Sequence, residues 1–183
     1  MRVIAGLYKG RTLTTVKDHS VRPAADRVKQ TIFDILATRM LLDGATVLDL
    51  FAGSGSLGIE ALSRGASHAT FVESFDAASR FIEHNLRTLG CEDQADIFGM
   101  DALHFIRTAR DSFDLIFADP PYSFEMTAEL PREIVACHLL KPHGYLLIEH
   151  AKTVQFASTD KYRVGPHKRF GRTFVTFFQG VPP

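Results

Sequence analysis

Two short segments carry residues whose types and spacing could do chemistry together: Asp49-Leu50-Phe51-Ala52-Gly53-Ser54-Gly55 and Asp119-Pro120-Pro121-Tyr122. In the second, the Asp119 carboxylate and the Pro120 carbonyl can each accept a hydrogen bond from one NH2 group. Such a pair fixes the amine and draws its lone pair out of conjugation. Two consecutive prolines lock the backbone, so the acceptors are preorganised. Tyr122 adds a flat face on which a base can stack. In the first segment, Gly53 and Gly55 allow the backbone to approach a ligand closely. Asp49, an acid inside an otherwise apolar run, suits a ligand with a cationic amino group, as methionine has.

More polar groups fall at the ends of later apolar runs. Glu73 lies 18 residues beyond Gly55, where an acid can accept both hydroxyls of a ribose. Asp101 could accept from an adenine amino group with the Ala102 N–H alongside; it reads equally well as the N-cap of a helix carrying Leu103 and Ile106. Asp49, Phe51, Gly53, Gly55, Glu73, Asp101 and Ala102 are therefore expected around an adenosyl cofactor. Asp119, Pro120 and Tyr122 are expected around a planar amine. Together they point to methyl transfer from S-adenosylmethionine to an exocyclic nitrogen. That reaction needs in-line approach and little acid–base help, so positioning dominates. A base inside a duplex cannot reach such a pocket and must be flipped out or already unpaired.

Other chemistries share parts of this pattern. Gly53-x-Gly55-x-x-Gly58 matches the dinucleotide fingerprint, and with Glu73 it allows a nicotinamide-dependent dehydrogenase. That reading leaves Asp-Pro-Pro-Tyr without a use and puts an acid, Asp49, where a dinucleotide site keeps an apolar residue. The N6 amine of adenine fits the second loop as well as the N2 amine of guanine does. A module that binds without turnover would not need Asp119.

The elements that must position these loops alternate. A hairpin is expected from Val3–Ala5 and Thr12–Val16 around Lys9-Gly10-Arg11. A helix is expected from Pro23, with Val28, Ile32, Ile35 and Leu36 on one face. Strands are expected at 46–50, 69–72, 95–98, 113–118 and 144–148. Helices fall between them, at 57–63, around Ala78–Leu89, at Leu103 and Ile106, and at Leu130–Cys137. Such alternation implies a mostly parallel sheet covered on both faces. Segments 162–164 and 173–178 should close it as an antiparallel pair, giving a seven-stranded Rossmann-like α/β fold. The organisation expected is one unit over residues 1–183, an N-terminal extension at 1–43 leading into a catalytic core at 44–183.

Composition permits this and excludes other classes. Of 183 residues, 45% are hydrophobic and 23% charged, enough for a substantial core. No apolar run approaches the roughly 18 residues that span a bilayer. Cys91 and Cys137 lack metal or disulfide spacing, the eight histidines show no ligand pattern, and no metal is expected. The reading is of a cytoplasmic protein. The net charge of zero hides an asymmetry: residues 1–43 carry +4, residues 151–183 carry +5, and the middle carries −9. Basic ends around an acidic centre suggest a polyanionic partner. Arg2, Lys9, Arg11, Arg22, Arg27, Lys168, Arg169 and Arg172 are the residues expected to meet phosphates.

With both loops in place, the chain resembles class I S-adenosylmethionine-dependent methyltransferases, and within them the RsmD family. Four stretches carry the likeness: 2–6 with 9–11, Arg22-Pro23-Ala24-Ala25-Asp26-Arg27-Val28-Lys29, the block Leu48–Gly65, and Lys168-Arg169-Phe170-Gly171-Arg172-Thr173. Ala24-Ala25 departs from the family's usual threonines, and Gln30 and Asp34 from a common glutamate and asparagine. The resemblance implies methylation of the N2 of a guanine in 16S rRNA of the small ribosomal subunit, at guanine 966. It implies S-adenosylmethionine as cofactor, a small subunit or assembly intermediate as partner, no membrane, and a monomer.

Overall fold

A computed structural model describes residues 1–15 and 22–182. Its centre is a seven-stranded sheet in the order β3-β2-β1-β4-β5-β7-β6. The strands are β1 (Thr46–Leu50), β2 (His68–Val72), β3 (Ala95–Phe98), β4 (Phe113–Ala118), β5 (Leu140–Ala151), β6 (Tyr162–Phe170) and β7 (Thr173–Gly180). Neighbours are parallel from β3 to β5, and β7 runs antiparallel to both β5 and β6. The helices are α1 (Arg22–Ala37), α2 (Ser56–Ser63), α3 (Asp76–Leu89), α4 (Ala102–Thr108) and α5 (Leu130–Ala136). This is the expected Rossmann-like fold.

Strict alternation along the central strands divides the core. Val47, Phe71, Leu115, Phe117, Leu147 and Phe177 face one side, where they meet Ile32, Phe33 and Leu36 of α1, Ile59 of α2 and Ile82 of α3. Leu48, Leu50, Val72, Ile116, Ala118, Leu146 and Ile148 face the other side, against Phe105 and Ile106 of α4 and Leu130 and Ile134 of α5. Successive side chains in a strand point to opposite faces, so the two clusters follow from the period of two. Burial on both faces explains why these strands read as mostly apolar runs.

The order reverses direction between β1 and β4, so the segments that follow these two strands are neighbours. Register pairs Leu50 with Ala118, which sets Phe51 beside Asp119. In open α/β sheets ligands bind at such a switch point, beyond the carboxyl ends of the strands.

Two strands are longer than the sequence pattern suggests. β5 starts at Leu140, ahead of a register shift opposite Phe113/Leu115 that absorbs Lys141-Pro142-His143. β6 continues to Phe170 past a shift between Val164 and His167, which takes up Gly165-Pro166. Proline is tolerated there because β6 is the edge of the sheet and a bulge spares the ladder.

The N-terminal hairpin is not a pair of regular strands. One antiparallel bridge, Arg2 with Thr12, closes it. Its arms also exchange Val3 N–H to the Arg11 carbonyl, Gly10 N–H to the Val3 carbonyl and Leu13 N–H to the Met1 carbonyl, each at 2.9 Å. Other backbone groups bond to the core: Ile4 and Ala5 N–H donate to Glu60 (2.8 and 3.0 Å), Tyr8 N–H to Ser63 Oγ (2.9 Å), and Thr14 N–H to Asn85 Oδ1 (2.7 Å). Gly6 makes this approach possible. Its φ is +81°, and a Cβ there would lie 1.7 Å from the Ser63 carbonyl oxygen. Among the described residues no helix is long and apolar enough to cross a membrane.

Candidate active site

The glycine loop leaves β1 through Phe51, which has φ 58°. A bulky residue in this region stores strain, a feature concentrated at functional loops. The Phe51 ring packs edge-on against Phe124, with centroids 5.0 Å apart, joining the glycine loop to the chain after Tyr122. Gly55 has φ 76° and its N–H donates to the Ala52 carbonyl (2.8 Å), turning the chain into α2. Gly58 serves packing: a Cβ would stand 2.3 Å from the Phe71 ring. Gly53 differs from both, since a Cβ there would meet nothing within 4 Å. Space beside Gly53 is open, as a close-fitting ligand requires.

A cavity of about 440 Å³ lies between the loops and α1. That size suits a small-molecule site. Asp49, Phe51, Gly53 and Ser54 line one side, and Asp119 and Glu149 another. Lys29 and Ile32 of α1 cover it, and Phe170 and Thr173 of the β6–β7 turn complete the wall. Asp119 lines this cavity and is exposed by surface area, while its carboxyl is closely surrounded by protein atoms.

The acids are held by different means. Asp49 is 3% exposed, and its Oδ2 accepts the Gly58 N–H at 2.9 Å. Burial pushes its pKa up to about 8 despite that bond, and the Asp119 and Glu73 charges push the same way. A cationic ligand group beside Asp49 would reverse that push. Glu73 accepts the Gly53 N–H through Oε2 (2.8 Å) and the Phe75 N–H through Oε1 (2.9 Å). The carboxylate therefore shapes the glycine loop, and each oxygen keeps a lone pair for a ribose hydroxyl. Burial raises the pKa of both Asp119 and Glu149, and the Asp119 charge raises Glu149 further.

Asp101 caps α4, accepting the His104 N–H at 3.0 Å, and Ala102 begins that helix as a buried residue. Both sit at the same sheet edge but outside the cavity wall. Pro120 is buried. Tyr122 is 71% exposed, and its hydroxyl is 2.5 Å from Thr173 Oγ1, which holds the ring at the rim of the cavity.

The basic residues divide. Lys168, Arg169 and Arg172 are exposed around the β6–β7 turn, whose Phe170 and Thr173 reach the cavity. Lys9 and Arg27 are exposed, Arg2 pairs with Asp26 at 3.4 Å, and Arg11 donates to the Thr88 carbonyl at 2.9 Å. The Arg22 side chain lies outside the described residues.

Sequence reasoning did not single out Glu149 or Lys29 as site residues. Glu149 follows the apolar run 144–148 as Asp119 follows 113–118 and Glu73 follows 69–72. An acid directly after a buried strand was the signal that could have found it. Lys29 sits on the apolar stripe of α1 and carries no such sign. The cavity wall and the group just behind it fit an adenosyl cofactor: an open glycine loop and a buried acid for an amine in the wall, and Glu73, outside the wall but bonded to Gly53, as an acid at the next strand end for hydroxyls.

Fold and site together define a class I methyltransferase, a class whose methyl donor is S-adenosylmethionine. Residues 1–179 match the family described as conserved hypothetical protein 95. The chain is 40% identical over 183 residues to YlbH of Bacillus subtilis (strain 168), provisionally named an rRNA methyltransferase, and covers 98% of each. It is 33% identical over 182 residues to ribosomal RNA small subunit methyltransferase D of Haemophilus influenzae, spanning 98% of this chain and 93% of that one. The structure of yhhF from Escherichia coli, provisionally named a methyltransferase, superposes with a TM-score of 0.88 at 28% identity, over 99% of this chain and 98% of that one. The chain belongs to this family, the RsmD family.

Proposed function

We propose that the protein methylates the exocyclic N2 of a guanine in 16S rRNA of the small ribosomal subunit, at guanine 966 by family likeness. The observation that carries this reading is that Asp119, at the head of Asp-Pro-Pro-Tyr, and the glycine loop line one cavity. S-adenosylmethionine supplies an electrophilic methyl group on a sulfonium. Asp49 would hold its amino group, Glu73 its ribose hydroxyls, and the Gly53–Gly55 backbone would lie against it. The Asp119 carboxylate and Pro120 carbonyl accept the two N2 hydrogens and aim the nitrogen lone pair. Tyr122 stacks on the extruded base from the rim. No general base has to act before transfer, because the product cation sheds its proton readily to Asp119 or water.

The exposed bases on the β6–β7 turn support an RNA substrate, as do relatives named for small-subunit rRNA. Phosphate contacts from Lys168, Arg169 and Arg172 would position the RNA beside the cavity without specifying sequence. On this reading the enzyme works in the cytoplasm, as a monomer, on the small subunit or an assembly intermediate.

Labelled S-adenosylmethionine, incubated with the protein and small-subunit particles lacking the modification, tests the reading after digestion to nucleosides. Label in N2-methylguanosine is expected. Label in N6-methyladenosine would keep the site's roles and replace the substrate. Absence of label from particles, with labelled protein instead, would end the RNA reading.

A further inference from the structure

We propose that Glu149 reads the N1–H of the target guanine while Asp119 and the Pro120 carbonyl hold its 2-amino group. The inference rests on the guanine reading above and adds a specificity residue to it.

Strand geometry brings the two carboxylates together. β4 and β5 are parallel, with Phe117 opposite Leu147 and Ala118 opposite Ile148. The next positions, Asp119 and Glu149, continue that register on strands about 4.8 Å apart. The period of two puts Asp119 on the face of Phe117 and Glu149 on the face of Leu147, both in the cluster beneath α1. Both line the same cavity. Among the described residues, no hydrogen bond or ion pair involves the side chain of either.

Two neighbouring acceptors of this kind match one nucleobase edge. Guanine presents N2–H2 and N1–H side by side, two adjacent donors. Adenine presents N6–H2 beside N1, a donor beside a lone pair, and cytosine pairs its amine with the N3 lone pair in the same way. Guanine's donors favour an ionised Glu149, the form that the empty site reaches above about pH 8, where the comparison below is run. In that form Glu149 attracts the first arrangement and repels the others. Like charges side by side also favour a ligand that brings donors to both, since those donors relieve their repulsion. The Asp-Pro-Pro-Tyr loop by itself accepts any planar amine; Glu149 supplies the choice among them.

The test compares guanine with 2-aminopurine, which keeps the 2-amino group but turns N1 into an acceptor. Small-subunit particles are reconstituted on rRNA carrying either base at the modified position. The wild-type protein should methylate guanine with a kcat/KM about 10- to 100-fold higher, the worth of one hydrogen bond to a charged group. In Glu149→Gln the amide can rotate to donate to the 2-aminopurine N1. Its guanine rate should fall by a similar factor and the ratio should collapse towards one, with S-adenosylmethionine affinity by calorimetry unchanged. The ratio is measured within one preparation, so partial unfolding cancels. A Glu149→Gln protein that keeps the wild-type ratio would overturn the role of Glu149 and leave the guanine reading standing. A wild-type protein that puts no methyl on guanine N2 would overturn both.

Discussion

The Lys29 ammonium lies 3.4 Å from Glu60 Oε2, with the two side chains 3% and 0% exposed. The same carboxylate accepts the Ile4 and Ala5 N–H groups and Arg64 Nε, and the same ammonium donates to the Arg2 carbonyl (2.7 Å) and Ser56 Oγ (3.0 Å). One buried pair thus ties the N-terminal segment, α1 and the helix that follows the glycine loop. Burial pulls the Lys29 pKa below the usual lysine value in spite of Glu60. Desolvation outweighs attraction, so the pair holds the segments in register more than it adds stability.

Removing one partner should therefore cost far more than the pair contributes. Glu60→Ala leaves Lys29, Arg64 and two backbone N–H groups without their acceptor. A loss of about 3–5 kcal/mol is expected in urea unfolding. Glu60→Gln, which keeps an acceptor oxygen, should lose less. A Glu60→Ala loss below about 1 kcal/mol would show that the carboxylate does not organise this corner.

Stability of the ligand-free protein should fall as pH rises. The Asp49 pKa is about 8, raised chiefly by burial, and burial raises Asp119 and Glu149 as well. These carboxyls stay protonated in the folded chain at pH values where the unfolded chain has released its protons. Their contribution is complete below about pH 4 and is lost as pH rises through about 8. Melting scans from pH 5 to 8 should show Tm dropping by several degrees, and Asp49→Asn should flatten the slope. Asp114 acts in the other direction. Burial pushes its pKa up, but Lys141 and Thr46 outweigh that and hold it below the usual carboxylate range. Its contribution is lost only as pH falls through that lowered value. A Tm that climbs towards pH 8 would contradict the raised values.

Asp119 should act through its ionised form. The Asp119–Glu149 pair titrates between about 6 and about 8 with the cavity empty. Single-turnover methylation should rise with pH across that window. Asp119→Ala should lower the rate by about 10²–10³-fold, the cost of losing one preorganised hydrogen-bonding group, while S-adenosylmethionine still binds. A near-wild-type rate in Asp119→Ala would remove this residue from the chemistry.

Lys168, Arg169 and Arg172 should affect affinity alone. Each alanine variant should weaken RNA binding and reduce the slope of log K against log salt by about 0.7–0.9 per lost phosphate contact. The rate at saturating RNA should not change. An unchanged salt slope for all three would move the RNA path elsewhere.

Much of this architecture is local. Strands 46–50 and 113–118 were readable to the residue, because burial on both faces makes each a mostly apolar run; strand 95–98, half exposed at the sheet edge, was readable from its position between two helical patterns. Gly44, Gly55 and Gly90 mark boundaries because each holds a positive φ that other residues avoid. Asp49 and Asp119 stand out as acids against an apolar background. β5 and β6 were read short because Pro142 and Pro166 look like breaks in isolation; only pairing with a neighbouring strand shows a bulge that accommodates them.

The amino-acid sequence by itself thus determined the elements, the two loops and the acids that end the strands, all consequences of side-chain period and backbone preference. Tertiary structure decided which groups meet. The strand order makes Phe51 and Asp119 neighbours across the switch point, and the register of β4 with β5 sets Glu149 beside Asp119. Docking onto Glu60 and Ser63, added to the short pairing of its own arms, holds the N-terminal segment. These are contacts between residues some 30 to 70 positions apart. They depend on how the sheet assembles around a shared core, and no local pattern carries that information.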